Sequence, residues 1–530
     1  MKKIIALLLI TTLTFSIPVG FDTLKTEGKI KTVKVNKKNF PDKNFRKCLK
    51  KCKEYKNGKI KTKVNKIKLS GVENYKGLEC FTYIEDLSIK SNSRENIAIE
   101  GTNKTKIEYL SLKSTKNNTI TIKKYKLLTV VGHKKNRAKL VLDSIDIIDN
   151  STSLDVCDHF NGLEVINCNT LRFLDTCESK KLSNMKISNC SSLIDIDCNS
   201  SGLYNISINN LKKLTTFDNS YNNTKKLTFS QSSNTIRELN VRNNKLGNYD
   251  YSKFGSLKKL DCTNTGITNF DLRKNIVLET LSCGEDFFTS IDISRNTNLK
   301  KIELNDARVN NIDLSKLNKL KDLTINNTLI QTINLSNLKN LEELMLTKGL
   351  FKSVNLNNNK KLDHIEVRNN PKLTNLILPK NKVGVSIDCS YNKLKTLDVS
   401  KNKRLYSLSC DGNKLEKLNV SKNKKLDSLD CSHNKLRKLS TSKNKKLDYL
   451  DCSNNKIRKL NLSKNKELTE LYCSNNKLKK LNVSNNKKIF ELHCKHNKIK
   501  KLDIRKNKEL DKDDLKCDKK VKIIRKKKRK

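Results

Sequence analysis

The chain has 530 residues but no tryptophan, only four prolines and only 5% aromatic residues. Large aromatic side chains dominate thick globular cores, so their scarcity favours a stack of thin coils over several globular domains. The sequence also lacks the G-x-S-x-G, H-E-x-x-H and phosphate-loop patterns of common catalytic sites, and its six histidines are scattered. We therefore predict a binding protein without a metal or cofactor, and keep an enzyme within residues 84–235 as the alternative.

What the chain does contain is a strict 21-residue period. Within the frame L-x-x-L-x-C-x-x-N-x-L, the cysteines that share this spacing are Cys389, Cys410, Cys431, Cys452, Cys473 and Cys494. Earlier in the chain the same position holds Val241, Cys262, Cys283, Leu304, Ile325, Leu346 and Val367. The step from Val367 to Cys389 is one residue longer than the period, and we attribute this to one extra residue near Pro371. Because this position accepts only small and medium apolar residues, we predict thirteen short strands whose side chains point into a narrow interior.

Each repeat also contains a shorter copy of itself. In one repeat the pattern L-x-x-L-x-V-x-x-N recurs as Leu415, Leu418, Val420 and Asn423. Two extended segments in so short a repeat leave no room for a long helix, so we expect a parallel sheet on one side and extended backbone on the other. The asparagines that end the first segment should form a ladder that bonds backbone groups at the turns. They are Asn413, Asn434, Asn455, Asn476 and Asn497.

This nested frame resembles the short leucine-rich repeats of secreted and surface-attached bacterial proteins that are loosely called internalin-like, and the match covers residues 236–510. A second match, Asn39-Phe40-Pro41-Asp42 followed by Phe45-Arg46, resembles the segment that often precedes such arrays in Gram-positive bacteria. The resemblance implies an α/β-type repeat solenoid that is mostly β. It would be a right-handed, curved leucine-rich-repeat solenoid with short strands, few helices and a small N-terminal helical cap.

In such relatives an acidic, calcium-loop-like segment can follow this opening. The corresponding positions here hold Lys53, Tyr55, Asn57, Gly58, Ile60 and Val64. Gly58 keeps the turn and Ile60 keeps the packing residue, but the hard oxygen ligands that calcium requires are missing. We therefore expect that this loop binds no calcium.

The chain divides into five regions by composition and pattern. They are a signal peptide at 1–20, a cap region at 21–83, degenerate repeats at 84–235, regular repeats at 236–510, and an acidic cap with a basic tail at 511–530. The first region has two lysines before an apolar run, as secretory signals do, with an uncleaved anchor as the alternative. Residues 516–530 hold ten basic residues and one acid, so we expect this tail to be disordered.

Seventeen cysteines in an exported chain suggest disulfides. The cysteines of the repeats, however, occupy equivalent positions on neighbouring parallel strands, and side chains that point the same way suit the disulfide dihedral angle poorly. We expect a ladder of buried free thiols. The cysteines outside this ladder, which are the better disulfide candidates, are Cys48, Cys52, Cys80 and Cys517.

Lysine and arginine outnumber aspartate and glutamate by 110 to 55, for a formal net charge of +55. Two columns of lysines recur with the period, both at predicted turns. The first column contains Lys414, Lys435, Lys456, Lys477 and Lys498, and the second contains Lys424, Lys445, Lys466 and Lys487. Aligned ammonium groups attract polyanions with a steep salt dependence. The alternative is that these lysines only keep exposed turns soluble.

The outward positions of the predicted strands form a concave face that is polar to acidic and includes two tyrosines. The candidate ligand-binding residues on it are Asp411, Asp430, Tyr449, Asp451, Glu470, Tyr472, Glu491 and His493. We predict a monomeric, exported adhesin, secreted or held non-covalently at the cell surface, whose concave face binds a protein or glycan. Its lysines and tail would bind an anionic cell-wall polymer. The alternative is an extracellular binder of DNA or sulfated glycans, with non-specific contacts to nucleic acid.

Overall fold

The computed structural model describes residues 31–525 except for 103, 115, 117, 133–137, 148–152, 158, 178 and 381–383. The signal peptide predicted at 1–20 and the last five residues of the predicted tail lie outside the described residues. The described chain winds into a mostly β solenoid, in which one buried apolar cluster extends from the N-terminal cap to the last coil. No helix in this part of the chain is both long and apolar enough to cross a membrane.

A long parallel sheet runs along the solenoid, and each coil adds a strand to it. In the regular part each residue pairs with its equivalent in the next repeat, as Leu429 does with Leu450 and Leu450 with Leu471. The strands are Lys63–Ser70, Tyr83–Ser91, Lys106–Ser114, Lys126–Gly132, Asp146–Ile147, Ser153–Cys157, Phe173–Asp175, Asp195–Asp197, Thr216–Asp218, Glu238–Asn240, Lys259–Asp261, Thr280–Gly284, Lys301–Asn305, Asp322–Asn326, Glu343–Thr347, His364–Arg368, Val385–Asp388, Leu405–Ser409, Ser428–Asp430, Tyr449–Asp451, Glu470–Tyr472, Glu491–His493 and Leu515–Lys516. Each end strand pairs with its single neighbour in the coil order, so the sheet is an open ribbon.

All thirteen strands predicted from the repeat period are present. They run from Glu238–Asn240 to Glu491–His493, and the apolar residue that follows or ends each strand is buried. His364 pairs with Ser386, one position beyond the regular period, so the extra residue expected near Pro371 is confirmed. A strict period therefore predicts the strands because residues one period apart are neighbours in space.

A short parallel sheet of seven strands covers the opposite side of the coils in the first half of the chain. Its strands are Ile97–Glu100, Thr119–Lys123, Lys139–Asp143, Gly162–Ile166, Asn184–Ser188, Asn205–Asn209 and Lys226–Ser230. The degenerate repeats at 84–235 supply strands to the two sheets in turn, since Met185 and Ile187 lie in the short sheet and Ile196 lies in the long one. Their irregular pattern thus reflects two sheets, which sequence analysis did not separate.

Beyond Ser230 the side opposite the long sheet is mostly turns and irregular extended backbone. Two strand pairs occur there, Ser353–Asn355 with Asn375–Ile377 and Lys501–Asp503 with Lys522–Ile524. In the repeats that contain Asn402, Asn423, Asn444, Asn465 and Asn486, the second segment ends at that buried asparagine, whose turn leaves little room for a strand. The two halves of the solenoid therefore share one sheet and differ on the other side.

The N-terminal cap holds the helix Lys43–Leu49, and Asp42 joins this helix to the first coil. The Asp42 carboxylate accepts hydrogen bonds from the backbone N–H groups of Phe45 at 2.8 Å, Glu73 at 3.0 Å and Asn74 at 3.3 Å. Burial raises the pKa of Asp42, but these hydrogen bonds lower it by more, so the pKa lies below its ordinary value. The N-F-P-D motif is thus a helix N-cap that also ties the cap to the array.

The remainder of the cap is β-structure, so the prediction of a helical cap is wrong outside this helix. An antiparallel sheet forms from Thr32–Lys34, Tyr55–Lys56 and Lys59–Lys61. Asn57 and Gly58 form the tight turn between the last two strands, with φ angles of 48° and 77°, as an Asn-Gly hairpin turn requires. Short 3₁₀ helices occur at Leu78–Cys80, Ser233–Thr235 and Tyr251–Lys253.

The cysteine ladder of the regular repeats is buried, as predicted. The six side chains from Cys389 to Cys494 are at most 1% exposed and are free thiols. Burial raises the pKa of each of them. They therefore stay protonated and pack as small apolar groups.

The four cysteines proposed as disulfide candidates are free thiols as well. Cys517 in fact extends the ladder, because the pairing of Leu492 with Leu515 places it beside Cys494. Cys48 lies within the helix Lys43–Leu49, whereas Cys52 follows the end of that helix. The disulfide prediction is therefore wrong for this structure.

Residues 511–525 form one more coil instead of a disordered tail. Asp518 directly follows Cys517 in this coil. Its carboxylate accepts the backbone N–H groups of His496 at 2.8 Å and Asn497 at 3.2 Å. The prediction of disorder is therefore wrong for 516–525, and the side chain that closes the ladder is Asp518 rather than an acid at 511–514.

The inner asparagine ladder, which consists of Asn413, Asn434, Asn455, Asn476 and Asn497, binds each coil to the coil before it. The Asn434 Nδ2 atom donates to the carbonyl oxygens of Cys410 at 2.9 Å, Cys431 at 3.3 Å and Ser432 at 2.9 Å. Its Oδ1 atom accepts the N–H of Leu415 at 2.9 Å. The other members repeat these contacts, so the predicted structural role of the ladder is confirmed.

An outer asparagine ladder closes the second segment of each coil and consists of Asn423, Asn444, Asn465, Asn486 and Asn507. The Asn444 Nδ2 atom donates to the carbonyl oxygens of Val420 at 3.0 Å and Asn423 at 2.8 Å. Its Oδ1 atom is buried and accepts no hydrogen bond from the described residues. Asn465 differs, because its Oδ1 accepts the Thr441 hydroxyl at 2.7 Å. Valine stands at the matching position, Val420, one coil earlier.

Exchanging these two side chains should therefore move stability in opposite directions. Val420→Thr should stabilise the protein by about 1 kcal/mol, because the new hydroxyl can bond the buried Asn444 Oδ1 atom. Thr441→Val should destabilise it by about 1–3 kcal/mol, because Asn465 Oδ1 then loses its donor. Urea midpoints of both variants measure the difference, and a shift of the same sign in both would contradict this account of the outer ladder.

A charged side chain in the cysteine ladder should destabilise the protein far more than an apolar side chain of different shape. Cys452→Asp should destabilise the protein by about 3–5 kcal/mol, because its carboxylate would be buried without a cation. Cys452→Val is the matched control and should cost less than about 1.5 kcal/mol, since valine already stands in this column at Val241 and Val367. Equal urea midpoints for the two variants would show that position 452 is open to solvent.

Candidate recognition surfaces

The outward side chains of the long sheet form one surface, here called the strand face. The pairing register aligns a column of carboxylates along it from the first half of the chain to the last repeats. This acidic column consists of Asp155, Asp175, Asp197, Asp218, Asp261, Glu303, Glu366, Asp388, Asp430 and Asp451. The charge of this column is negative, whereas the net charge of the whole chain is positive, so the strand face differs electrostatically from the rest of the surface.

Cations compensate the middle of the acidic column. Lys301 lies 2.7 Å from Glu303, and Arg368 contacts both Glu366 and Asp388. Towards the N-terminal end, burial and the charges of neighbouring carboxylates raise the pKa of Asp195, which stands beside the column, to about 6. Negative potential is therefore strongest towards the two ends of the acidic column.

Seven of the eight predicted ligand-binding residues come together at the C-terminal end of this face, on the strands from Ser428–Asp430 to Glu491–His493. The rings of Tyr449 and Tyr472 are 5.7 Å apart, and those of Tyr472 and His493 are 4.8 Å apart at 86°. These three side chains are here called the tyrosine–histidine cluster. The Tyr472 hydroxyl donates to Glu470 Oε2 at 2.9 Å, and His493 Nε2 lies 3.2 Å from Glu491 Oε1.

The eighth predicted residue, Asp411, does not lie on the strand face. The strand ends at Ser409, and Asp411 is only 8% exposed in the turn that follows. Gly412 follows with a φ of 62°, and a Cβ atom there would come within 2.8 Å of the Tyr391 ring. Tyr391 is itself 56% exposed, so the edge presents an aromatic ring where an acid was predicted.

Asp430 is under electrostatic strain on the strand face. Burial raises its pKa to about 6, and the charges of Asp451 and Asp411 add to this rise. The hydrogen bond from the Ser432 N–H at 2.9 Å opposes the rise without cancelling it. The ionised form of Asp430 is therefore less stable in the folded protein than in the unfolded chain.

The nine lysines of the two predicted columns are all exposed at the turns of the coils. Their spacing is set by the backbone, because the N–H of Lys435 donates to the carbonyl of Leu415 at 2.9 Å and the N–H of Lys456 to that of Leu436 at the same distance. Neighbouring coils are about 4.8 Å apart. The lysines thus form two regular rows of cations on a rigid support.

A lysine groove near the C-terminal end was missed by sequence analysis. It has a volume of about 920 Å³, and its lysines are Lys479, Lys480, Lys498, Lys500, Lys501 and Lys506. The signal was present in the sequence, since the Lys-Lys pairs at 479–480 and 500–501 are one period apart. Among the described residues, no group of three or more histidine, cysteine, aspartate and glutamate side chains could hold a metal ion.

The architecture defines the class of protein, a leucine-rich-repeat solenoid. The structure of the plant peptide hormone receptor RGFR1 in complex with RGF2 is 16% identical over 88% of this chain and 96% of that chain, with a TM-score of 0.50. This likeness shows the fold.

Bacterial leucine-rich-repeat proteins are also among the similar structures. The functional domain of InlJ from Listeria monocytogenes, which includes a cysteine ladder, is 29% identical over 49% of this chain, with a TM-score of 0.43. This chain covers 63% of that domain, which is less than two thirds of its length. A Leptospira interrogans leucine-rich-repeat protein is 22% identical over 61% of this chain and 86% of that chain, with a TM-score of 0.47. The sequence matches no protein-family model and no curated protein.

Asp430→Asn should stabilise the protein at pH 7 and have little effect at pH 4. Because the folded-state pKa of Asp430 is raised to about 6, its contribution to stability is greatest at low pH and is lost as the pH rises towards 6. The gain at pH 7 should be about 1–2 kcal/mol, measured from urea midpoints across this pH range.

Asp398→Asn is the control for this experiment. The N–H of Ser400 lowers the pKa of this exposed carboxyl, so its contribution to stability is present at neutral pH and is lost as the pH falls. The control should therefore not stabilise the protein at pH 7. A pH-independent gain for Asp430→Asn would contradict the assignment of a raised pKa.

Proposed function

We propose that this chain is an exported bacterial binding protein of the adhesin type. Its strand face would bind a protein or glycan, and its lysine columns would hold it non-covalently on an anionic cell-wall polymer. The observation that carries the proposal is the separation of charge in coils such as those of Asp430 and Asp451, which have carboxylates on the strand face and exposed lysines such as Lys435 and Lys456 at the turns. Such a separation lets one molecule bind two chemically different partners at once.

The tyrosine–histidine cluster is the part of the strand face best suited to recognition. Tyrosine offers a large contact area at a small entropic cost, and aromatic residues often dominate binding energy. The carboxylates around the cluster favour a partner with basic or hydrogen-bond-donating groups. RGFR1 is a peptide hormone receptor whose structure was solved in complex with RGF2. A leucine-rich-repeat scaffold that binds a polypeptide ligand is consistent with this proposal.

The lysine columns and the lysine groove are the proposed means of retention at the cell surface. Their ammonium groups are exposed, while the coils that carry them are held in place by the asparagine ladders. Cations on a rigid support lose little conformational freedom when a phosphate-rich polymer binds. Because residues 516–525 belong to the last coil, these surfaces would contribute more than the predicted free tail.

The second candidate function is that of an extracellular polyanion binder without a separate ligand on the strand face. The lysine groove favours it, because Lys480 and Lys501 both line this groove and stand one period apart. Binding to DNA or sulfated glycans through such lysines would weaken steeply with salt. Binding at the strand face depends less on salt, so the two functions can be distinguished.

The triple variant Lys435→Gln, Lys456→Gln and Lys477→Gln tests retention. Its affinity for poly(glycerol phosphate) at about 150 mM salt should fall by at least about tenfold, with a shallower salt dependence, because three phosphate contacts are lost. The control removes the same charge from the cap with Lys37→Gln, Lys38→Gln and Lys50→Gln. Equal losses in both variants, measured by calorimetry, would show that net charge rather than the column governs binding.

The double variant Tyr449→Ala and Tyr472→Ala tests the strand face in the same preparation. Its binding to poly(glycerol phosphate) should be unchanged. On protein and glycan arrays, ligands of the wild-type chain that remain bound at about 500 mM salt should be lost in this variant, because salt weakens phosphate contacts far more than aromatic ones. If salt at this concentration removes every bound species from the wild-type chain, the polyanion binder is the correct function.

A further inference from the structure

The short sheet carries a groove of about 860 Å³ on its outer face, on the side of the solenoid opposite the strand face. The groove crosses five strands, from Lys139–Asp143 to Lys226–Ser230. One row of outward positions runs along it, because the register aligns Lys139, Gly162, Asn184, Asn205 and Lys226. It lies in the first half of the chain, far in sequence from the lysine columns and from the tyrosine–histidine cluster.

The side chains that line the groove differ in size. Gly162 has no side chain and Ser207 has a short one, whereas Lys139 and Lys226 rise at its two ends and Lys186 stands on the middle strand. Met185 and Ile206 also line it although their side chains are buried, so the backbone of the strands forms its floor. A ligand that fits must therefore be narrow and extended, and it must present polar groups.

The polar groups of the groove are held in place by a chain of hydrogen bonds. The Asn205 Nδ2 atom donates to Asn184 Oδ1 at 2.8 Å, and Asn184 Nδ2 donates to the Ser183 hydroxyl at 2.9 Å. Ser183 Oγ in turn donates to the carbonyl of Asn161 at 2.7 Å. This chain fixes the amide orientations, and it leaves Asn205 Oδ1 without a hydrogen bond from the described residues.

The charges of the groove are unevenly balanced. Glu164 contacts the ammonium groups of both Lys139 and Lys186, so these three side chains together keep one excess positive charge. Lys226, at the other end, forms no ion pair with a described residue. Next to this end, outside the lining of the groove, Tyr204 is 40% exposed, and the Lys225 ammonium lies 5.1 Å from its ring centre. One end of the groove thus carries a partly compensated cluster of charges, while the other carries an unpaired cation with an aromatic ring close to it.

We propose that this groove binds a linear, hydroxyl-rich glycan that carries an acidic substituent at the Lys226 end. Fixed amides and hydroxyls match the many donors and acceptors of a sugar chain, and the ring of Tyr204 can stack on a pyranose. The proposal does not rest on the adhesin function, because the groove and the strand face share no residue.

A peptide or a phosphate polymer fits the groove less well. Peptides are bound by free sheet edges or by apolar grooves with anchor pockets, whereas four of the five strands beneath this groove are paired on both sides, only Lys226–Ser230 has a free edge, and the walls of the groove are polar. A phosphate polymer needs a row of unpaired cations, and Lys139 and Lys186 are already paired with Glu164. A mostly neutral polymer with one acidic group per binding site remains the best match.

Gly162→Phe tests the proposal by filling the groove. A Cβ atom at this position would meet its nearest neighbours, Asn184 O and Lys139 Cγ, at 3.5 Å, which is an ordinary contact, so the variant should fold. The probes are a hexamer of galacturonic acid methyl ester, the same hexamer with one free carboxyl group as the acidic form, and a hexamer of N-acetylglucosamine, with inorganic polyphosphate as the polyanion. The wild-type chain should bind the acidic hexamer more tightly than its ester, and Gly162→Phe should weaken both by at least about tenfold.

Lys226→Gln tests the acidic substituent separately. It should remove the preference for the acid over the ester and leave the affinity for the ester unchanged, whereas the exposed control Lys212→Gln should change neither. Polyphosphate binding should be the same in the wild type and in Gly162→Phe. If no hexamer binds in a way that depends on Gly162, or if Lys226→Gln keeps the full preference for the acid, the proposal is wrong.

Discussion

The structure depends on the hydrogen bonds that the inner asparagine ladder makes between successive coils. Each coil turns sharply at two places, and sharp turns leave backbone N–H and C=O groups without partners. In the coils from Asn413 to Asn497, one buried amide per coil, such as Asn434, bonds three carbonyl groups and one N–H group from two coils. Where the asparagines end, Asp518 takes over the contact with backbone N–H groups and closes the array.

Because the ladder holds the coils in register, a residue type repeated once per coil becomes a continuous row on the surface. Carboxylates on the strand face and lysines at the turns are two such rows, and they give the solenoid sides of different chemistry. Alignment also has a cost, since like charges stand next to each other. The raised pKa of Asp430, which results from burial and from the charge of its neighbour Asp451, reflects this arrangement.

The two halves of the solenoid differ in the structure of the side opposite the long sheet, and this difference affects where ligands can bind. In the first half, strands such as Asn205–Asn209 build a second sheet with a polar groove. In the second half, the outer asparagines end each segment early and replace that sheet with turns that carry lysine. The same long sheet therefore supports a groove suited to sugars in one half and rows of cations in the other.

The regular half could be predicted almost fully from the sequence. Its thirteen strands, its buried thiols and its exposed lysine columns all follow from a constant period, because residues one period apart are then neighbours in space. Most of the candidate strand face followed as well, from Asp430 to His493. Asp411 was misplaced because the strand ends before it, at Ser409, and a one-letter pattern does not show where a strand gives way to a turn.

Only the tertiary structure decided the organisation of residues 84–235 and of the chain end. There Lys106 pairs with Lys126 and Thr129 pairs with Asp155, and the unequal separations of these pairs mean that spacing no longer identifies spatial neighbours. The short sheet, its groove and the N-terminal part of the acidic column became visible only through backbone pairing. The same reason applies to Cys517. Its separation from Cys494 in the sequence differs from the period, but the pairing of their strands in the sheet still places the two side chains next to each other.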